Sequence, residues 1–181
     1  MRACIVEHPL EPAALLAEVA SHGSGASVLF VGTVREVNDG RAVTGIDYSA
    51  YSAMAARELE AIAGETAKRF GTPHVVVEHR LGALSLGDAS VAIAVSHPRR
   101  APAMEAAHHV IEEIKRRVPI WKREHYADGT CEWVDPTADG ASGSQGAVSV
   151  ASRSVASPAP GSALRVDSRF APAVAGAEAQ P

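Results

Sequence analysis

The chain has 181 residues, 46% hydrophobic and only 4% aromatic, and its 17 Lys and Arg against 21 Asp and Glu leave a formal net charge of -4. That balance excludes a general nucleic-acid binder, whose domain is clearly basic, so any anion site must be made locally by a few clustered cations. Two cysteines, Cys4 and Cys131, lie far apart in no CxxC spacing, which excludes a disulfide scaffold and a structural zinc site of the usual pattern.

The N-terminus carries acids and a proline where a signal peptide would need an apolar run, and no stretch of 18 apolar residues occurs. A soluble, cytoplasmic protein is expected. "RACIVEH" reads as a strand and "LEPAALLAEVAS" as a helix, closed by the glycines at 23 and 25. "ASVLFVGTVR" alternates as a second strand, and "AVTGIDYSAY" as a third after the turn Asn38-Asp39-Gly40.

"MAARELEAIAGETAKRF" places Leu59, Ile62, Thr66 and Phe70 at helical spacing. "HVVVEHRLG" is a strand, so His79-Arg80 should end one. After Gly87-Asp88, "ASVAIAVSH" sets Val91, Ile93 and Val95 on one face and small residues on the other. A helix from about 101 to 117 follows, with Met104, Ala107, Ile111 and Ile114 as its stripe and Pro102 tolerated in the first turn.

"KREHY", the turn Ala127-Asp128-Gly129 and "TCEWVD" make a hairpin. The fold class is α+β, three helices against mostly antiparallel strands, over residues 1–135. From 136 to 181 the chain turns to Ala, Ser, Gly and Pro without periodicity, the composition of a disordered tail.

Three cationic places stand out. In "IEEIKRRVPIWKRE", Pro119 stops the helix, so Lys115 falls in its last turn and Lys122 starts the next strand or loop. Lys115 there also suits the helix dipole, and Trp121 in such a place is most often core. In "GTVREVNDG", Arg35 leaves an apolar strand beside a Gly-ended turn, and Gly32 permits close approach. In "SHPRRAP", Arg99 and Arg100 precede a helix N-terminus, an arrangement suited to phosphate. No metal or cofactor is expected, since His108 and His109, adjacent on a helix, diverge by about 100°.

Taken in order, G-x-V-R-x-x-N-x-G, HR-x-G-x-L-x-x-G-D and K-x-x-x-x-P-x-W-K-x-E resemble the catalytic (large) subunit of molybdopterin synthase from about Ile5 to Val134. The resemblance implies an α/β-hammerhead-like α+β domain and an enzyme that converts cyclic pyranopterin monophosphate to molybdopterin. Its two dithiolene sulfurs come from a thiocarboxylate on the C-terminal Gly-Gly of a small ubiquitin-like subunit. The large subunit forms a central dimer flanked by two small ones.

Residue by residue, the resemblance makes Lys115 and Lys122 catalytic and tail-binding, and Arg35 substrate-binding. The family's histidine-arginine pair, which reaches the substrate phosphate from the neighbouring copy, falls on Arg99 and Arg100, with His97 as the alternative to Arg99. A proton-transfer role for a lysine would follow if burial beside Trp121 and Arg123 lowered its pKa. Neither cysteine falls in a cationic motif, and an imported thiocarboxylate removes the need for one. Two rivals stand beside this reading: a non-catalytic scaffold of the same fold, and an anion- or RNA-binding module using Arg35, Arg99 and Arg100.

Overall fold

A computed structural model describes residues 1–134. The expectation of a disordered tail over 136–181 lies outside the described residues, as does Asp135. In chain order the elements are β1 (Arg2–Val6), α1 (Pro12–Glu18), β2 (Ala26–Thr33), β3 (Val37–Asn38), β4 (Arg41–Ala50), α2 (Ser52–Phe70), β5 (Val75–Arg80), β6 (Gly82–Ser85), β7 (Ala89–His97), α3 (Arg100–Arg117), β8 (Ile120–Tyr126) and β9 (Cys131–Val134). The α+β expectation holds. Among the described residues no helix is long and apolar enough to cross a membrane.

The strands form two sheets. One has the order β1-β5-β7-β2, parallel only at β1–β5. Its middle strand β7 is buried on both faces, which explains its continuous apolar run. Val91, Ile93 and Val95 face a core shared with Leu59 and Ile62 of α2 and Val110 and Ile114 of α3. Ala92 and Ala94 face Leu15, in the middle of α1, and Val19, just past its end, and these small side chains let that short helix approach.

The second sheet runs β3-β4-β8-β9, with β6 also paired to β4, and encloses a small cluster of Val34, Val43, Ile46, Leu84 and Tyr126. Most of the string "HRLGALSLGD" is spent joining these parts. Arg80 donates to Asp88 Oδ2 at 3.2 Å, and the same oxygen accepts the Ser85 N–H at 3.1 Å. Leu81 N–H reaches back to Val6 O at 2.8 Å.

The stripe of α3 differs from the sequence reading. Ala103, Ala106, Ala107, Val110 and Ile114 are buried, Ile111 is half-buried, and Met104 is exposed. The buried line is rotated onto alanines because α3 must lie close to the sheet, where a row of small residues fits. Met104 therefore does not belong to the stripe that packs on the sheet. Trp121 also departs from expectation: it is 43% exposed, packed edge-on against Tyr51.

Candidate functional site

Strand β8 reverses the usual rule for what points inward. Its burial alternates, with Ile120, Lys122, Glu124 and Tyr126 inside and Trp121 exposed on the other face. Side chains of a strand alternate faces with period two, so once Ile120 enters the core the register carries a lysine and a glutamate in with it. Lys122 is 9% exposed and Glu124 2%. Charged side chains at such burial must be paired, and here Lys122 Nζ lies 3.4 Å from Glu124 Oε1. Trp121 and Arg123 point to the opposite face, so the environment that the sequence reading invoked for a lysine pKa shift is not the one Lys122 occupies.

Glu124 is the hub. Its Oε2 accepts from Asn38 Nδ2 at 3.0 Å and from the Tyr126 hydroxyl at 2.8 Å. Burial first, and then the bond to Glu124, push the Tyr126 phenol up to about 12, so it stays a donor. Asn38 in turn accepts from Arg35 at 3.0 Å. Its position is set by the tight turn Asp39-Gly40 between β3 and β4, where both residues have positive φ, 47° and 76°. That is the geometry of a two-residue hairpin turn, for which Asp-Gly is a favoured pair.

These groups border one cavity of about 270 Å³. Arg35 enters from the end of β2, Lys115 from the last turn of α3 and Lys122 from β8; Phe30, Ser90 and Ile111 complete much of the wall. Pro119 makes this convergence feasible: Val118 takes an extended conformation, and the chain passes directly from α3 into β8. Gly32 sits in the wall because an added Cβ would stand 2.7 Å from Val91 Cγ1, a side-chain rather than a backbone approach.

Arg99 and Arg100 are elsewhere in this copy. They line a separate, open depression at the N-terminal end of α3, about 22 Å of helix away from Lys115. His97 is buried, its Nδ1 accepting the Arg99 N–H at 2.9 Å, whereas the Arg99 side chain is exposed.

Sequence reading did not single out Asn38, Glu124, Tyr126 or His79 as site residues. The strict two-residue period of "IWKREHY", anchored on Ile120, was the available signal for Glu124 and Tyr126. His79 is buried at the cavity, edge-on to Tyr48 and hydrogen-bonded to Arg80 O at 3.0 Å. Burial pushes its imidazole down from 6.5 to about 4. Protonation therefore favours the unfolded chain: stability is unaffected above the ordinary histidine pKa and falls as pH drops from about 6.5 to 4. The loss due to His79 should reach on the order of 3 kcal/mol near pH 4. In urea titrations at pH 7 and pH 4, a His79→Gln variant should lose less stability than the wild type; equal losses would remove His79 from the account.

Comparisons with known proteins agree with this layout. The family described as MoaE protein matches residues 5–117, a span that includes Arg35 and Lys115 and ends before Lys122. A molybdopterin synthase catalytic subunit of Emericella nidulans is 41% identical over 126 residues, covering 70% of this chain and 65% of the relative. The chain thus spans just under two thirds of that relative's length. The crystal structure of molybdopterin synthase from Staphylococcus aureus superposes with a TM-score of 0.69 at 35% identity, covering 72% of this chain and 95% of that one. A Helicobacter pylori complex of subunits 1 and 2 of molybdopterin-converting factor superposes with a TM-score of 0.56 at 26% identity, covering 70% of this chain and 86% of that one. A family match over residues 5–117, on a fold that gathers Arg35, Lys115 and Lys122 around one cavity, establishes that this chain belongs to the MoaE protein family.

Proposed function

We propose that this chain is the catalytic subunit of a cytoplasmic molybdopterin synthase. It converts cyclic pyranopterin monophosphate to molybdopterin, taking two sulfurs from the thiocarboxylated C-terminal Gly-Gly of a small ubiquitin-like subunit. The observation that carries the reading is the entry of Arg35, Lys115 and Lys122 into one cavity on a chain of net charge -4. Thiocarboxylate and substrate phosphate are both anions, and a cavity that gathers three cations, one of them buried, holds them more strongly than scattered surface charges would. Residues 1–135 form the catalytic domain in this reading, with 136–181 as an appended tail.

The residues divide the work by position. Lys122, held by Glu124, orients the thiocarboxylate and stabilises the negative charge that develops as sulfur is transferred. Lys115, exposed at the helix end, guides the incoming tail into the cavity. Arg35, fixed through Asn38, binds the pterin. A cavity of about 270 Å³ is small for a phosphorylated pterin together with a peptide tail. The site is therefore completed across a homodimer within a heterotetramer, where Arg99 and Arg100 of a second copy take the phosphate.

The test is reconstitution. Purified chain, thiocarboxylated small subunit and cyclic pyranopterin monophosphate should yield molybdopterin, read by fluorescence of its oxidised product. Arg35→Ala should raise KM about tenfold or more, with a smaller change in kcat, since it loses a charge-assisted contact to bound substrate. Absence of product from the wild type under these conditions overturns the proposal and favours a binding scaffold of the same fold.

A further inference from the structure

On the face of the second sheet opposite the cavity, three strands bring together a thiol, an imidazole and a carboxylate. Cys131 of β9 stands directly across from His125 of β8, and Asp47 of β4 is the diagonal neighbour of His125. Cys131 Sγ lies 3.2 Å from His125 Nδ1, and His125 Nε2 lies 2.8 Å from Asp47 Oδ2. The carboxylate fixes the tautomer: Nε2 carries the proton donated to Asp47, leaving the Nδ1 lone pair for the Cys131 S–H. Hydrogen bonds from Arg123 (2.8 Å) and then His125 hold Asp47 below the usual carboxylate range, so it remains charged.

We propose that Cys131, His125 and Asp47 form a thiol-exchange site that takes small anionic disulfides. Cys131 passes its proton to His125 Nδ1 and its thiolate attacks one sulfur of the incoming disulfide. The S–S bond breaks, its electron pair leaves with the departing thiolate, and that group takes up the proton from His125. Cys131 ends in a mixed disulfide, and the incoming disulfide is the oxidant.

Accessibility and charge favour this reading. Cys131 is exposed on the edge strand of its sheet, beside the guanidinium of Arg123, an electropositive and open setting of the kind that makes thiols reactive. Arg123 and the 62%-exposed Trp133 share that face, offering a cation and an aromatic platform to a ligand with a carboxylate and an apolar part. The ring nitrogens of His125 point to opposite sides, so the three donors do not converge on one point, and among the described residues no group of three such ligands could hold a metal. Cys4 gives the contrast: it is half-buried, its thiol pushed up by burial. The site stands apart from the cavity and does not rest on the proposed sulfur-transfer reaction.

The test uses the full chain and 5,5′-dithiobis(2-nitrobenzoate), an aromatic anionic disulfide. One thiol, mapped by peptide mass analysis to Cys131, should react about tenfold faster at pH 7 than N-acetylcysteine. Cys131→Ser should remove that phase. His125→Gln should slow it about tenfold with the circular dichroism spectrum unchanged, and Asp47→Asn should slow it with partial recovery in Asp47→Glu. The neutral 2,2′-dithiodipyridine should show a smaller advantage over N-acetylcysteine than the anionic probe. Reaction no faster than N-acetylcysteine, or full speed retained in His125→Gln, would overturn the proposal.

Discussion

Lys122→Ala should reduce molybdopterin formation by roughly 10²- to 10³-fold, chiefly in kcat, while the chain still folds. The magnitude follows from where the lysine is kept. Strand register turns it inward between Ile120 and Glu124, where it is 9% exposed and charge-paired rather than solvated. Lys122 Nζ is held 3.4 Å from Glu124 Oε1, and in the proposed reaction the same ammonium acts on the anion entering the cavity. Truncation removes the cation beside the 2%-exposed Glu124 carboxylate, which keeps its bonds to Asn38 and Tyr126. Stability should therefore fall by about 3 kcal/mol, the low end for breaking a buried charge pair. Lys122→Arg should restore little, because a planar fork cannot occupy the space of a compact ammonium. Wild-type turnover in Lys122→Ala would remove the residue from the mechanism.

Glu124→Ala should be the more damaging change to the fold. It strips the carboxylate from a 2%-exposed position and removes the acceptor that Lys122, Asn38 and the Tyr126 hydroxyl share. Breaking one partner out of a buried charge pair costs about 3–5 kcal/mol, a large share of a domain's total stability. Glu124→Gln retains an acceptor and the volume, and should cost less while still disturbing Lys122. Chemical denaturation separates the two: the alanine variant should show a midpoint well below that of the glutamine variant. Matching midpoints would mean that the carboxylate's bonds contribute little.

Much of this could be read from the chain before any coordinates. The hydrophobic periods placed all three helices and most strands, because most of these elements lie between a core and solvent; β7, buried on both faces, shows a continuous apolar run instead. Arg35, Lys115 and Lys122 were singled out by motif, and the fold brings them to one cavity. What escaped the sequence depends on tertiary contact. The stripe of α3 shifts onto alanines because helix and sheet must approach closely, which leaves Met104 exposed. Trp121 looked like core, yet the register that buries Lys122 turns it out. Glu124 and Asn38, 86 residues apart, gain meaning only when the Asp39-Gly40 turn folds one beside the other. Arg99 and Arg100 lie a helix length from Lys115, a separation that no local pattern reveals. Cys131 reads as lying outside every cationic motif because its partners, His125 and Asp47, come from other strands.

A crystal structure of this chain with the small subunit bound would test the central claim most directly. The account predicts the last glycine of the small subunit inside the cavity, its terminal carboxylate within hydrogen-bonding distance of the Lys122 ammonium, with Lys115 beside the entering tail. A tail docked on another surface, with the cavity still closed to it, would contradict the account.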